Sequence, residues 1–382
     1  MAQFINRPSE YYAYGGNPNI AWPQSVAMTN YMRCVPLDAR ILTRYGWKTC
    51  DDVRPGDETV GYNPLTGKSA WTKVTAVHQY SAVPVVRLFS NRVDLRSTPN
   101  HRWLTEKNLQ PETFAPYRRE MFTETQHIGT RHRIRLAVPH DDHERLPIST
   151  IEAELLGWIA GDGCIGYGLN NRGGKRGKLN VTIHQSKPQY VTRIRELLAD
   201  IPHTEYQQSD VAPPVKRADG KMIQARYARS AWRLRSPYAR DLLRRSGCEA
   251  GLETMVIAMS SDQREAFIAG LLGADGYLGR NNTWTFCQND GPVLHAFMLA
   301  AYLTGYWCNP VNSAGQKHIH LGSPYVGSGS GFHREDLGFQ PVWCVTTELG
   351  SWTAEQSRQI FLTGNSGTAT RLPPPRTSGA LN

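Results

Sequence analysis

The sequence predicts a multidomain chain in which an all-β domain is split in two by an α/β insertion built as a tandem repeat. Three observations predict it. Short alternating or β-branched runs broken by turns follow Cys34 and return before Asn365. The region between them holds an internal repeat whose order is helix, acidic turn, strand, helix. Positive charge is concentrated in that same middle region: from Asn171 to Arg245 there are 17 Lys and Arg against 6 Asp and Glu, an excess larger than the net +10 of the whole chain.

The β runs are ARILT, DETVGYN, SAWTKVTAVHQY, PVVRLFS, VDLRST and RHRIRLAVPH, then PVWCVTTELG and QIFLTGNS near the end. Both β segments form one domain if the insertion leaves and returns at nearby points. The repeat reads ELLGWIAGDGCIGYG, LNVTIHQS, PQYVTRIRELLADI in its first copy and AFIAGLLGADGYLGR, NTWTFCQN, GPVLHAFMLAAYLTGY in its second. Two such copies suit a ligand that is itself nearly two-fold symmetric, such as duplex DNA, and a localised basic surface attracts a phosphate backbone. The boundaries read as 1–33, a loop-rich flank; 34–145, the first β half; 150–318, the insertion; 335–365, the second β half; and 366–382, a Pro-, Ser- and Gly-rich flank.

Several classes are set aside. No run approaches the roughly 18 apolar residues needed to span a bilayer, and no secretory signal pattern opens the chain, so a cytoplasmic protein without membrane contact is expected, as a monomer. Seven scattered cysteines include no Cys-x-x-Cys pair, which argues against a zinc site or a disulfide framework.

In each repeat, small residues four apart (Gly157 and Gly161; Gly270 and Ala274) lie on one helix face and let two backbones approach closely. Packing those faces brings the terminal Asp162 and Asp275 side by side. The following Gly163 and Gly276 are expected to stop each helix in the left-handed conformation. Two adjacent carboxylates in a basic groove favour a hard divalent cation such as Mg²⁺, which suits metal-assisted phosphodiester hydrolysis. Lys187, in QSKPQY, is a candidate phosphate-facing lysine, whereas the second repeat carries Asp290 in the corresponding stretch.

LLGWIAGDG and IAGLLGADG resemble the paired motifs of LAGLIDADG (DOD-type) homing endonucleases. That resemblance implies an αββαββα repeat, a saddle of strands in the DNA major groove, and motif aspartates as metal ligands.

The β segments carry a second set of reactive residues: Cys34, then Thr98, Asn100 and His101 in STPNHRWL, Cys344 in PVWCVTTELG, and Asn365 followed by Ser366. A thiolate can attack a neighbouring peptide carbonyl. Thr98 and His101 can supply an oxyanion donor and a proton relay. An Asn amide can cyclise onto its own carbonyl, and a following hydroxyl can hold the transferred acyl group.

In this order the residues resemble the block pattern of inteins from Cys34 to Asn365, which implies a horseshoe-like Hint fold that excises itself and joins flanks 1–33 and 366–382. The resemblance also implies that the insertion cuts double-stranded DNA carrying the uninterrupted host-gene site. Inteins usually have Asp where this chain has Cys344, His where it has Gly364, and often His near Ser351. Trp103, Cys344 and Thr363 instead resemble the Trp-Cys-Thr signature of class 3 inteins, in which the internal cysteine attacks the upstream junction; Cys34 remains the alternative first nucleophile. Two other readings stay open: a free-standing DNA endonuclease or DNA-binding protein that does not splice, and a decayed, inactive intein in a structural protein.

Overall fold

A computed structural model describes residues 3–5, 33–108, 118–141, 144–169, 176–208, 210–211, 213–216, 220, 222–224, 226–279, 282–313, 316–327 and 331–365. The chain is mostly β-structure and divides into two compact units, one of residues 1–141, 302–310 and 322–382, the other of residues 142–301 and 311–321. Among the described residues no helix is long and apolar enough to cross a membrane.

The first unit is a set of small open sheets. Its longest strand, Lys68–Phe89, runs antiparallel to His333–Thr347 and places Cys344 directly opposite His78. SAWTKVTAVHQY and PVVRLFS, separate runs in the sequence, are thus one strand. Pro84, which has no N–H to give to a ladder, is tolerated because it lies opposite Phe339 between two shifts of register, where pairing is irregular anyway. Val35 and Pro36 pair with Trp343 and Val342 on the free side of His333–Thr347, so the chain enters the unit beside Cys344. Gln3–Ile5, within the N-terminal flank, pairs in parallel with His78–Tyr80. A second sheet runs Gln359–Gly364, Ser351–Gln356, Arg40–Thr43, Gly46–Lys48, and a third Tyr325–Gly327, His132–Arg135, Arg102–Asn108, Arg118–Glu124.

The second unit is organised by two helices, α1 (Thr150–Asp162) and α5 (Ser261–Asp275); α2 (Pro188–Leu197), α3 (Ser236–Ser246) and α4 (Leu252–Ala258) lie between them in sequence and α6 (Pro292–Leu303) follows. Both α1 and α5 begin with a capping box, Ser149 with Glu152 and Ser260 with Gln263, which satisfies two orphan backbone donors at each start. Neither shows a polar face wide enough for a surface helix, and both are largely buried. They cross at Gly157 and Gly270, whose Cα atoms face each other: a Cβ at Gly157 would meet the Phe267 carbonyl oxygen at 2.3 Å, and one at Gly270 the Glu154 carbonyl oxygen at 2.2 Å.

Gly163 and Gly276 do not adopt the left-handed conformation. Their φ values are −99° and −104°, and each is the first residue of a strand, Gly163–Leu169 or Gly276–Leu278. Glycine is required by space: a Cβ would sit 2.3 Å from the Ile159 carbonyl oxygen in one copy and 2.5 Å from that of Leu272 in the other. There is no acidic turn; the aspartates are the last helical residues.

Each copy then builds a sheet. Gly163–Leu169 pairs with Arg176–Gln185, which pairs with Ser230–Leu234 and through it with His203–Gln207. Gly276–Leu278 pairs with Trp284–Gln288, which pairs with Gln316–Gly322. Around the helices, buried Arg264 donates to the Val256 and Ile257 carbonyls at the end of α4 (2.9 and 3.1 Å), satisfying acceptors that the helix leaves open. Glu152 accepts from Arg245 and Tyr238 (2.5 and 2.9 Å).

Candidate functional site

The residues singled out in the β segments fall within the first unit. Pairing of Val35–Pro36 with His333–Thr347 sets Cys34 against Cys344, and their Sγ atoms lie 3.1 Å apart. Neither forms a disulfide, and both are fully buried, packed with Val83, Val85 and Val342. Cys34 and Thr98 are joined reciprocally: the Cys34 N–H donates to Thr98 Oγ1 (3.2 Å) and the Thr98 N–H to the Cys34 carbonyl (3.0 Å). The scissile N–H proposed by the sequence therefore already has a hydroxyl partner.

Beyond Thr98 the chain turns tightly, the His101 N–H donating to the Thr98 carbonyl at 3.0 Å. Asn100 is buried in this turn. His101 is fully buried and its Nε2 hydrogen-bonds Thr363 Oγ1. Burial pushes its pKa down to about 3; the Arg33 backbone favours the protonated ring and the Arg33 guanidinium opposes it. The ring is accordingly neutral near pH 7. Trp103 packs edge-on to the His101 ring (centroids 4.8 Å apart) and against Phe361, and donates through Nε1 to Thr125 Oγ1 at 2.8 Å. Trp103 and Thr363 thus hold the imidazole from two sides.

Asn365 is the last described residue of the unit. Its N–H donates to the Gly350 carbonyl (3.2 Å), its Nδ2 to the Thr347 carbonyl (3.2 Å), and Trp352 Nε1 donates to the preceding Gly364 carbonyl (3.1 Å). A Cβ at Gly364 would meet the Arg102 carbonyl oxygen at 2.7 Å, so no side chain, and no histidine, fits before Asn365 in this backbone. Ser351 is occupied structurally, its Oγ accepting from the Tyr62 N–H at 2.7 Å. Ser366 lies outside the described residues.

In the second unit, close packing of α1 on α5 brings Asp162 and Asp275 together: a Cβ at Gly161 would lie 3.6 Å from Asp275 Oδ2. Burial raises the pKa of both, that of Asp162 to about 6, with repulsion from Asp275 as its second cause; Lys187 opposes the rise at both carboxylates. Two glutamines that sequence reasoning did not single out complete a symmetric arrangement. Gln185 Nε2 donates to Asp162 Oδ2 and Gln288 Nε2 to Asp275 Oδ2, each at 2.9 Å. Among the described residues no group of three or more His, Cys, Asp and Glu is placed to hold a metal ion. The mutually repelling pair nonetheless fits a hard dication, whose remaining ligands would be water or phosphate oxygens.

No protein-family model and no curated protein matches this chain. Similar solved structures do exist. The chain is similar to I-DmoI, described in complex with DNA and Mn, at 18% identity and a TM-score of 0.31 over 45% of this chain and 89% of that one. It is also similar to a splice-inactive variant of the AceL NrdHF class 3 split intein (7% identity, TM-score 0.31, 88% of this chain and 99% of that one). A third similar structure is a mutant of the Ssp DnaB mini-intein variant M86 (18% identity, TM-score 0.22, 28% and 63%).

One further residue of the first unit joins the site through its fold alone. His78, opposite Cys344, bonds Thr346 Oγ1 through Nε2 (3.1 Å), and burial lowers its pKa. Nothing in VTAVHQY marks it, since only the strand register brings it to Cys344.

Proposed function

We propose that this chain is a self-splicing intein of the class 3 kind that carries a LAGLIDADG-type endonuclease, an enzyme active on its own backbone and on double-stranded DNA. The observation that carries the splicing reading is the 3.1 Å contact of the Cys34 and Cys344 thiols at the Arg33–Cys34 junction, with Thr98 on the junction N–H. In this reading the Cys344 thiolate adds to the Arg33 carbonyl. The C–N bond to Cys34 then breaks, and the departing nitrogen gains a proton by way of Thr98 and His101. Residues 1–33 become a thioester on Cys344, which the Ser366 hydroxyl attacks, releasing the thiolate. Asn365 Nδ2 closes on its own carbonyl and cuts the chain, and the ester at Ser366 rearranges to a peptide bond. Cys34 as first nucleophile is the second reading, supported by the same contact because it involves both sulfurs.

The endonuclease reading rests on the carboxylate pair with its two glutamines. Asp162 and Asp275 would hold Mg²⁺, which when bound polarises a phosphate oxygen and lowers the pKa of water. Gln185 and Gln288 orient the carboxylates, and Lys187 offsets charge at both. The target in this reading is the chain's own gene without the codons for 34–365.

Intact-mass measurement after expression tests the splicing proposal. Two products are expected, residues 34–365 and the joined flanks 1–33 plus 366–382. A single unprocessed species after prolonged incubation under reducing conditions overturns it.

A further inference from the structure

Asn365 is gripped by a single turn, the one that follows the strand His333–Thr347. Its Nδ2 lies 3.2 Å from the Thr347 carbonyl oxygen and 3.4 Å from Thr347 Oγ1, and its N–H donates to the Gly350 carbonyl at 3.2 Å. The turn is closed by a bond of its own, the Gly350 N–H donating to the same Thr347 carbonyl at 3.2 Å. Gly350 has a φ of 73°, the left-handed region that a turn this tight needs and that glycine enters at no cost. Thr347 and Asn365 are both buried. Gly364 brings no side chain to this point, and Ser351 Oγ is engaged by the Tyr62 N–H.

The Thr347 hydroxyl is aimed. It donates to the Ser351 carbonyl at 2.8 Å. That carbonyl is itself held against the strand Glu58–Asn63, where a Cβ at Gly61 would lie 2.6 Å from its oxygen. A hydroxyl has one hydrogen to give and two lone pairs to accept with. With its hydrogen on Ser351, Oγ1 faces Nδ2 as an acceptor, and the Thr347 carbonyl oxygen is an acceptor by nature. One residue thus offers two acceptors to the two hydrogens of one amide nitrogen.

We propose that Thr347 is a catalytic residue of Asn365 cyclisation, its hydroxyl and carbonyl oxygens holding the hydrogens of the attacking nitrogen. The proposal rests on the splicing reading above. Both N–H bonds lie in the amide plane, so fixing the hydrogens fixes that plane and sets the face of Nδ2 that meets the Asn365 carbonyl carbon. The same two bonds push electron density onto a nitrogen that an amide otherwise leaves poorly nucleophilic. Nδ2 then bonds to that carbon, and the bond from the carbon to the Ser366 nitrogen breaks. One Nδ2 hydrogen stays on the cyclic imide. The other departs toward Oγ1 as a proton while the leaving Ser366 nitrogen gains one, so no charge is left over.

The test follows the full chain by pulse-chase in cell-free synthesis under reducing conditions, with products resolved by gel and mass. Two rates are read: appearance of the branched species that carries residues 1–33, and its resolution to 34–365 and the joined flanks. Thr347→Val removes the hydroxyl but keeps the branched shape and the carbonyl. It should leave branching within about two-fold of wild type and slow resolution roughly ten-fold, so that the branched species accumulates. Thr347→Ser returns the hydroxyl and should bring resolution back to within about three-fold of wild type. Unchanged resolution in Thr347→Val, equal slowing of branching and resolution, or no recovery in Thr347→Ser overturns the proposal. Wild-type chain that yields neither branched species nor excised product overturns the splicing reading itself.

Discussion

The two candidate centres of this chain differ in how they treat water. In the β unit, Cys34, Cys344, Thr98, His101 and Thr363 are all fully buried, among packed valines and tryptophans. In the repeat unit, Asp162 and Asp275 are only half-buried, and a cavity that Arg229 also lines opens beside Asp162. Under the proposed function the contrast follows from where each substrate would come from. A centre that acts once on its own backbone folds around its substrate and needs no entrance. A centre for a polyanion must stay open, and it uses charge to gather its ligand.

The strongest way to break this comparison is to disable each centre alone. Cys344→Ala should abolish formation of the joined flanks while DNA cleavage by the precursor persists. Asp162→Asn should reduce Mg²⁺-dependent cleavage by at least about a hundred-fold while splicing proceeds. Mass spectrometry and a strand-cleavage assay on the same two proteins decide it. Loss of both activities in either variant would mean that the centres are not separate.

A smaller effect is expected from the helix crossing. Gly270→Leu forces a side chain into the Glu154 carbonyl, where no flexible neighbour can yield. Overpacking of this kind costs about 1–3 kcal/mol and more when backbone must move. Calorimetry should show the transition of the repeat unit moving down by several degrees with that of the β unit unmoved. A shift of both together would contradict the independence assumed here.

What the sequence disclosed follows from what each feature needs. The α1 and α5 helices were legible because close packing demands small residues at a fixed helical spacing, and such residues leave a mark. Their capping boxes, Ser149 with Glu152 and Ser260 with Gln263, are equally local but were not singled out in the sequence. Gly163 and Gly276 were legible as necessary but not for their reason: a left-handed stop and a crowded carbonyl both call for glycine, and only the folded backbone separates the two. Gln185 and Gln288 were not legible, since a glutamine at a strand end is chemically ordinary until the register aims it at a carboxylate. The Cys34–Cys344 contact depends on two strands far apart in sequence, Val35–Pro36 and His333–Thr347. Their candidate chemistry could be read in advance, but not their 3.1 Å separation. The continuity of Lys68–Phe89 through Pro84 was hidden because proline normally ends a strand, and it survives here only at an irregular register.

The smallest expected effect concerns acid, and it follows from the burial of His101. Its folded pKa, about 3, lies below the ordinary value of 6.5, so the unfolded chain binds a proton that the folded chain refuses. Stability is therefore unaffected by this ring above pH 6.5, falls as the pH drops below that value, and stops falling near pH 3. One proton of difference corresponds to at most about 1.4 kcal/mol per pH unit, so between pH 6 and pH 4 the ring should cost the β unit about 2 kcal/mol. His101→Asn keeps a polar group of similar reach near Thr363 without a titrating ring. Its β unit is expected to start less stable at pH 7, because the contacts to Thr363 and Trp103 are lost, and then to decline less steeply with acid. His78 and His132, whose pKa values burial also lowers, are present in both proteins, so they cancel in the difference. Denaturant melts of the β unit at pH 7, 6, 5 and 4 measure it. Parallel curves for the two proteins would show that His101 is already solvated in the folded state, and the closed centre contrasted above with the open carboxylate pair would lose its main support.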